Sequence, residues 1–225
     1  MNIAYNMDCL KAMSEMPDKY YDLAVVDPPY GNALTDEVWG VTYWNRFGQR
    51  FDRYKQDVER RGGQWATKYG KKIIDWDIAP GKEYFKQLFR ISRNQVIWGG
   101  NYFNLPPTRC FLVWRKTNVP QDFTMAMVEY AWTSFNGNAK CFEFSSAGLP
   151  GRFHPTQKPV ELYEWIYGMF AKAGYKILDT HLGSGSSRIA AYNMKLDFTG
   201  YEIDETYFKL QEERFVKHTM QTTLF

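Results

Sequence analysis

The apolar run Leu23-Ala24-Val25-Val26 stops at Asp27-Pro28-Pro29-Tyr30, with Gly31 next. A run this short, bounded by turn formers, reads as a strand buried on both faces, as in a parallel sheet. Each proline fixes its own φ and restricts the residue before it. The turn is therefore stiff, and Asp27 and Tyr30 are held in a fixed relation. Ligands of open α/β sheets bind just past the carboxyl ends of strands. A carboxylate, two prolines and an aromatic ring thus stand where chemistry is usually done. On these residues alone, an ordinary strand ending in a proline turn explains as much.

The rest of the chain repeats the alternation. Residues 3–6 predict a first strand, and Asp8 precedes an apolar periodic segment, 9–16, that reads as a helix ending at Pro17. Further strands are predicted at 22–26, 95–98, 110–114, 128–134, 176–179 and 198–201. Residues 82–90 predict a helix with Phe85, Leu88 and Phe89 on one face. Pro159 opens a helix whose inward face is Tyr163, Ile166, Tyr167 and Phe170, and Gly174 ends it. Two more helices are expected at 187–194 and 205–216. Strands alternating with helices predict a seven-stranded, mainly parallel sheet with helices on both faces and one antiparallel strand.

One segment breaks the pattern. Residues 31–74 are too long for an ordinary loop, and they predict an insertion within a single domain spanning 1–225. Arg46, Arg50, Arg53, Arg60, Arg61 and Lys68 are interleaved there with Tyr43, Trp44, Phe47, Phe51, Tyr54, Trp65 and Tyr69. Basic side chains suit phosphates, and Arg also reads guanine edges. A solvated charged flap is the plainer reading of the same run. The formal net charge of the whole chain is only +3, so a nucleic-acid site has to be a local patch such as this one.

Composition narrows the class. At 44% hydrophobic, the 225 residues can form a real core. Cys9, Cys110 and Cys141 are odd in number and scattered, which argues against a disulfide framework and against structural zinc. No metal is expected. Residues 1–6 carry neither a charged leader segment nor an apolar run, and no stretch approaches the ~20 apolar residues of a membrane span. The reducing cytoplasm is the expected compartment, and no membrane partner is expected. Monomer and homodimer both remain open.

A second constellation joins strand to helix at Asp179-Thr180-His181-Leu182-Gly183-Ser184-Gly185-Ser186-Ser187. Glycines permit a sharp turn and close approach to a ligand, and the helix N-terminus offers free N–H groups to an anion. No Lys follows the second glycine, so this is not a P-loop. Glu202 ends the next strand, where an acidic residue accepts ribose hydroxyls. A nucleoside-bearing cofactor fits both features. Asp204 is a rival acceptor, although its place suits the cap of the last helix.

Taken in order, Asp27-Pro28-Pro29-Tyr30-Gly31, His154-Pro155-Thr156-Gln157-Lys158-Pro159 and Leu178-Asp179 with Gly183-Ser184-Gly185 resemble the amino-methyltransferases of DNA. The catalytic motif precedes the cofactor loop, as in their permuted beta group. Ile97-Trp98-Gly99-Gly100-Asn101-Tyr102-Phe103 and Asp179-Thr180-His181 look like the short stand-alone adenine enzymes of phages and prophages, for which the compartment would be the host cytoplasm.

The resemblance implies S-adenosylmethionine as cofactor, S-adenosylhomocysteine as product, and double-stranded DNA as partner. Asp179, His181, Gly183, Ser184, Gly185 and Ser186 would hold the methionine end. Glu202 would take the ribose, Asp8 the cofactor's adenine amino group, and Lys158 would lie beside the methionine. Asp27, Pro28, Pro29 and Tyr30 would be catalytic, with the target base stacked on Tyr30. The family usually has Pro-Phe where Thr180-His181 stand. An imidazole can stack in place of the phenyl ring, or it can be a base or a metal ligand. The target expected is adenine N6. Cytosine N4 is the nearest rival, since such enzymes more often have Ser in place of Asp27. Methylation of RNA or of a protein amide, and a catalytically silent cofactor-binding or nucleic-acid-binding protein, are further alternatives.

Overall fold

In a computed structural model of the chain, the residues described are 1–30, 78–120, 126–147, 149 and 152–222. The chain divides into two units, Met1–Pro28 with Gly81–Phe225, and Pro29–Pro80. The predicted insertion at 31–74 falls in the second unit and outside the described residues. Of that unit, only residues 29–30 and 78–80 are described.

The first unit is an eight-stranded sheet. Its strands are β1 (Asn2–Asn6), β2 (Tyr21–Val26), β3 (Ser92–Trp98), β4 (Phe111–Lys116), β5 (Val128–Thr133), β6 (Lys140–Phe144), β7 (Lys176–Asp179) and β8 (Asp197–Glu202). They lie side by side in the order β1-β8-β7-β2-β3-β5-β4-β6. Every pairing is parallel except those of β5, which runs antiparallel to both β3 and β4. The fold class and the single antiparallel strand agree with expectation. The eighth strand, β6, is an addition. Its alternation is shallow, with only Phe142 and Phe144 partly covered, and it follows a turn signal that gave no hint of a further parallel pairing.

Among the described residues, five α-helices connect or close these strands: α1 (Cys9–Glu15), α2 (Lys82–Ile91), α3 (Val160–Phe170), α4 (Ser186–Asn193) and α5 (Glu205–Thr222). Helix α3 ends at Phe170, four residues before Gly174, which lies in the following turn with φ +82°. Helix α5 runs past its predicted end to Thr222. Helix α2 buries Tyr84, Leu88 and Ile91, a face rotated from the one predicted.

Strand residues alternate between the two faces of the sheet. Leu23, Val25, Val96, Trp98 and Ile177 form one core with Leu162, Tyr163, Ile166 and Tyr167 of α3. Ala24, Val26, Ile97 and Leu178 point the other way and are equally buried. Helices α1 and α2 take no part in the first core. They pack on each other and contribute Met13, Leu88 and Ile91 as buried residues. A sheet covered on both sides needs near-continuous apolar strands, which is what β2 and β3 supply.

This order places a switch point at the site. From β7 the chain proceeds outward to β8, whereas from β2 it proceeds to β3 on the other side. Crevices at such points receive the ligands of doubly wound sheets. Among the described residues, no helix is long and apolar enough to cross a membrane.

Candidate active site

The carboxyl edge of the sheet collects most of the residues singled out in the sequence. Asp27 follows β2, Asp179 ends β7, Glu202 ends β8, and Asp8 lies just past β1. β2 and β7 are neighbours, with Ala24 beside Leu178, and Asn6 pairs with Glu202 on the far side of β8. Pro28 closes the first unit, and Pro29 and Tyr30 open the second.

The Asp179 carboxylate is 2% exposed. One of its oxygens accepts the His181 N–H at 3.0 Å, and the other accepts the Ser187 hydroxyl. Burial pushes its pKa up to about 7, and the charges of Asp27 and Glu202 add to the effect against those two hydrogen bonds. Glu202 accepts the Gly183 N–H at 2.7 Å and the Asp204 N–H at 2.9 Å, one on each oxygen. Burial raises its carboxyl as well, opposed by those backbone donors. Asp204 caps α5, accepting from Thr206 N at 2.7 Å and Tyr207 N at 3.0 Å. That engages the carboxylate that rivalled Glu202.

The glycine loop is fixed from behind. Gly183 and Gly185 have φ +52° and +74°, the left-handed region in which a Cβ is strained. A Cβ on Gly185 would meet Gln211 Oε1 at 3.1 Å, and one on Gly183 would meet the His154 ring at 3.4 Å. Arg214 of α5 donates to Ser184 O at 2.8 Å and to Ser186 Oγ at 2.9 Å. His154 packs edge-on against Tyr207, and burial, with the charge of Lys158, pushes its imidazole down to about 4.

Thr180 and His181, the departure from the family pattern, form a short relay. Tyr84 Oη and Thr180 Oγ1 are 2.6 Å apart, and Thr180 Oγ1 lies 2.9 Å from His181 Nδ1. Burial lowers the His181 pKa to about 4, so the ring is neutral at pH 7. Among the described residues, no three His, Cys, Asp or Glu side chains group so as to hold a metal ion.

Lys158 is the surprise of the site. It is 3% exposed, and its ammonium pairs with Asp27 Oδ2 and, at 3.1 Å, with Glu129 Oε2. The resemblance implies a place beside the methionine end, and the structure shows its ammonium paired with Asp27, the carboxylate read from the sequence as catalytic. Burial works to lower its pKa, and Asp27 and then Glu129 outweigh that, holding it above the usual value. Glu129 lay outside the sequence reading. It reaches this edge because β5 runs backwards, which sets Glu129 opposite Trp114 near the end of β4.

The other expected positions divide in two. Asp8 is exposed and caps α1, accepting from Leu10 N at 2.8 Å. Arg46, Arg50, Arg53, Arg60, Arg61 and Lys68 lie outside the described residues. Residues 145–152, small and glycine-containing ahead of the Gln157-Lys158-Pro159 segment, read in sequence as a second candidate for DNA contact; among those described, the Ser146 N–H donates to Asn118 Oδ1 at 2.7 Å.

The donor set suits S-adenosylmethionine. Burial and the charges of Asp27 and Glu202 disfavour ionised Asp179, a balance that a cationic ligand would reverse, and the glycine loop carries no side chain at its two left-handed positions. Asp179 and the loop would hold the methionine end, with Glu202 at the ribose.

Comparison with known proteins agrees with this geometry. A family profile described as DNA methylase, covering N6 and N4 enzymes, matches residues 49–213. The chain is 38% identical to the Type II methyltransferase M2.DpnII of Streptococcus pneumoniae, over 94% of this chain and 88% of that protein. It is 23% identical to the Type II methyltransferase M2.MboI of Moraxella bovis, over 94% and 86% respectively. Two solved structures share the fold. PvuII DNA methyltransferase (cytosine-N4-specific) aligns with TM-score 0.61 at 13% identity, over 96% of this chain and 86% of that one. TTHA0409 of Thermus thermophilus, complexed with S-adenosyl-L-methionine, aligns with TM-score 0.54 at 16% identity, over 97% and 96%. With the profile spanning most of its length and a relative this similar end to end, the chain belongs to the N6/N4 family of DNA methylases.

Proposed function

We propose that this protein methylates the N6 amino group of adenine in DNA. As a member of its family it is an S-adenosylmethionine-dependent DNA methyltransferase. The choice of adenine rests on Asp27, since enzymes of the family that act on cytosine N4 more often carry Ser there. The observation that carries the reading is the placement of Asp27 beside Asp179 at the ends of neighbouring parallel strands.

When bound, S-adenosylmethionine supplies a methyl group made electrophilic by its sulfonium. The chain's own residues act on the target. The lone pair of an exocyclic amino group is delocalised into the ring. Asp27 and the Pro28 carbonyl each accept one of its N–H bonds, which localises that lone pair for attack. These acceptors act most strongly on charge that develops in the transition state, the condition for raising turnover. The nitrogen turns acidic as it gains its fourth bond, so Asp27 need only hold the departing proton. The paired base has to leave the duplex to reach this carboxylate. Tyr30, three residues on in the chain, is the ring we assign to stack on it. Residues 31–74, read as an insertion in one methyltransferase domain, are assigned to DNA contact through Arg46, Arg50, Arg53, Arg60, Arg61 and Lys68.

The test is to express the protein in a host without DNA methylation and map modified bases by single-molecule sequencing. N6-methyladenine in a fixed sequence context is the expected result. N4-methylcytosine, or no modified base from a folded, cofactor-binding protein, would overturn the reading.

A further inference from the structure

Lys158 does not belong to Asp27 alone. Four alternating charges run along the carboxyl edge: Asp27, Lys158, Glu129 and Lys116. Glu129 gives one oxygen to each lysine, Oε1 to Lys116 at 2.6 Å and Oε2 to Lys158 at 3.1 Å. Each ammonium also stands over an indole. Lys158 Nζ is 5.3 Å from the Trp98 ring centroid, and Lys116 Nζ is 5.2 Å from that of Trp114. Both tryptophans are at most 2% exposed, so each ammonium lies against a ring held in the core, which favours its charge there.

A buried ammonium needs a partner, and one carboxylate is enough to neutralise it. A second carboxylate does something further: it divides the pull on the cation. With Asp27 as sole partner, Lys158 would close a tight ion pair and weaken Asp27 as a hydrogen-bond acceptor. The ammonium lies closer to Asp27 than to Glu129, so Glu129 offsets only part of that pull, and Lys116, holding the other Glu129 oxygen, fixes the point from which it acts. Glu129 also needs no other reason to be ionised, because Lys158 and Lys116 outweigh its burial and hold its pKa below the usual value.

We propose that Glu129 is a positioning residue for methyl transfer: anchored by Lys116, it holds Lys158 and so sets how strongly Lys158 engages Asp27. The inference rests on the reading of Asp27 as acceptor of the target amino group. Glu129 itself touches neither base nor cofactor in this scheme.

The experiment measures methyl incorporation from labelled S-adenosylmethionine into genomic DNA amplified in vitro, which carries no modification. Glu129→Gln should lower kcat by about 10- to 100-fold, the scale for a partner one step removed from the reacting group. Cofactor and DNA affinities should stay within about twofold, because the interaction lost is felt in the transition state. Glu129→Asp keeps the charge but draws it back, so its kcat should fall between the two. Should Glu129→Gln fail to fold, Glu129→Asp carries the test, and wild-type kcat there would overturn the proposal. The double variant Lys116→Met/Glu129→Gln separates the roles. If Glu129 only neutralises Lys116, the double variant recovers wild-type kcat, and the proposal fails. Persistent loss supports it. Asp27→Asn serves as the reference. Full turnover in Asp27→Asn would bring down the parent reading, whereas full turnover in Glu129→Gln beside an inactive Asp27→Asn brings down this inference alone.

Discussion

Asp27 and Asp179 close neighbouring parallel strands, and the charge of Asp27 adds to burial in pushing the Asp179 carboxyl up to about 7. Two functions meet at these strand ends. One carboxylate is assigned to the substrate amino group and the other to the cofactor. Asp27 already has the Lys158 ammonium, so a cationic ligand would act chiefly on Asp179.

Cofactor affinity should therefore depend on pH near neutrality. Below about 7 the Asp179 carboxyl is protonated in the free protein, and binding a cationic ligand has to release that proton. Affinity should fall by up to about tenfold per pH unit on the acid side and level off above about pH 8, as one-proton linkage requires. Calorimetry in buffers of different ionisation enthalpy would show proton release at pH 7, and none would mean that Asp179 is not a partner of the ligand's positive charge. The sign for stability is opposite. A folded pKa raised above the unfolded one contributes stability at low pH that is lost as pH rises through about 7. Without ligand, Asp179→Asn should flatten that part of the stability profile.

The glycine loop should not tolerate a side chain. Gly185→Val combines a left-handed φ of +74° with a Cβ only 3.1 Å from Gln211 Oε1. The backbone term alone costs about 1–2 kcal/mol, and the added methyls press on Gln211 of α5 and displace the loop. Thermal melting should drop by several degrees, and S-adenosylmethionine binding should be lost. A Gly185→Val protein that binds normally would remove the loop from the cofactor site.

How much of this was legible in the chain depended on whether the signal was local. The strand ends at Asp27, Asp179 and Glu202 could be read because apolar runs stop there at turn formers, and parallel sheets put such stops on one edge. Asp204 could be read as a cap from its place before α5. Lys158 was found as part of a motif, but its partners were not. Nothing near it in sequence shows that β5 runs backwards, and only that direction delivers Glu129 to the same edge. Strand β6 was missed for a related reason. Its pairing with β4 is parallel and at the sheet's rim, where three of its five residues are exposed and the apolar run is broken.

Glu202 should contribute to cofactor affinity through the ribose. Glu202→Ala should weaken binding by about 1.5–3 kcal/mol, the worth of hydrogen bonds to a charged acceptor. The same change strands the Gly183 and Asp204 N–H groups that Glu202 now satisfies. Glu202→Gln, which retains an acceptor oxygen, should therefore keep more of the melting temperature than of the affinity. Equal loss in both would assign Glu202 to holding the loop and nothing more.

Asp27→Asn should leave S-adenosylmethionine binding intact and cut kcat by at least about 10²–10³, the range for removing one preorganised electrostatic contact to the reacting group. Lys158 would keep Glu129 as its partner in that variant, so the fold should survive. Near wild-type turnover would eliminate the acceptor role.

The basic and aromatic segment makes a claim about DNA that salt can test. Affinity for a polyanion falls linearly with log salt, with a slope of about −0.9 for each phosphate neutralised. The net charge of +3 is too small for the whole protein to behave as a polycation, so a steep slope has to come from a local cluster. Arg60 and Arg61 are adjacent in sequence and are assigned here to phosphates. Replacing both with Ala should flatten the slope by up to roughly two units, without altering which sequence is methylated. If one of them reads a base instead, the slope should change by about one unit and discrimination at one position of the site should relax. Titration of a labelled duplex from about 50 to about 300 mM salt, with S-adenosylhomocysteine present to prevent turnover, measures the slope directly. An unchanged slope in the double variant would leave residues 31–74 as a solvated charged surface and move the search for DNA contacts to the loop at 145–152.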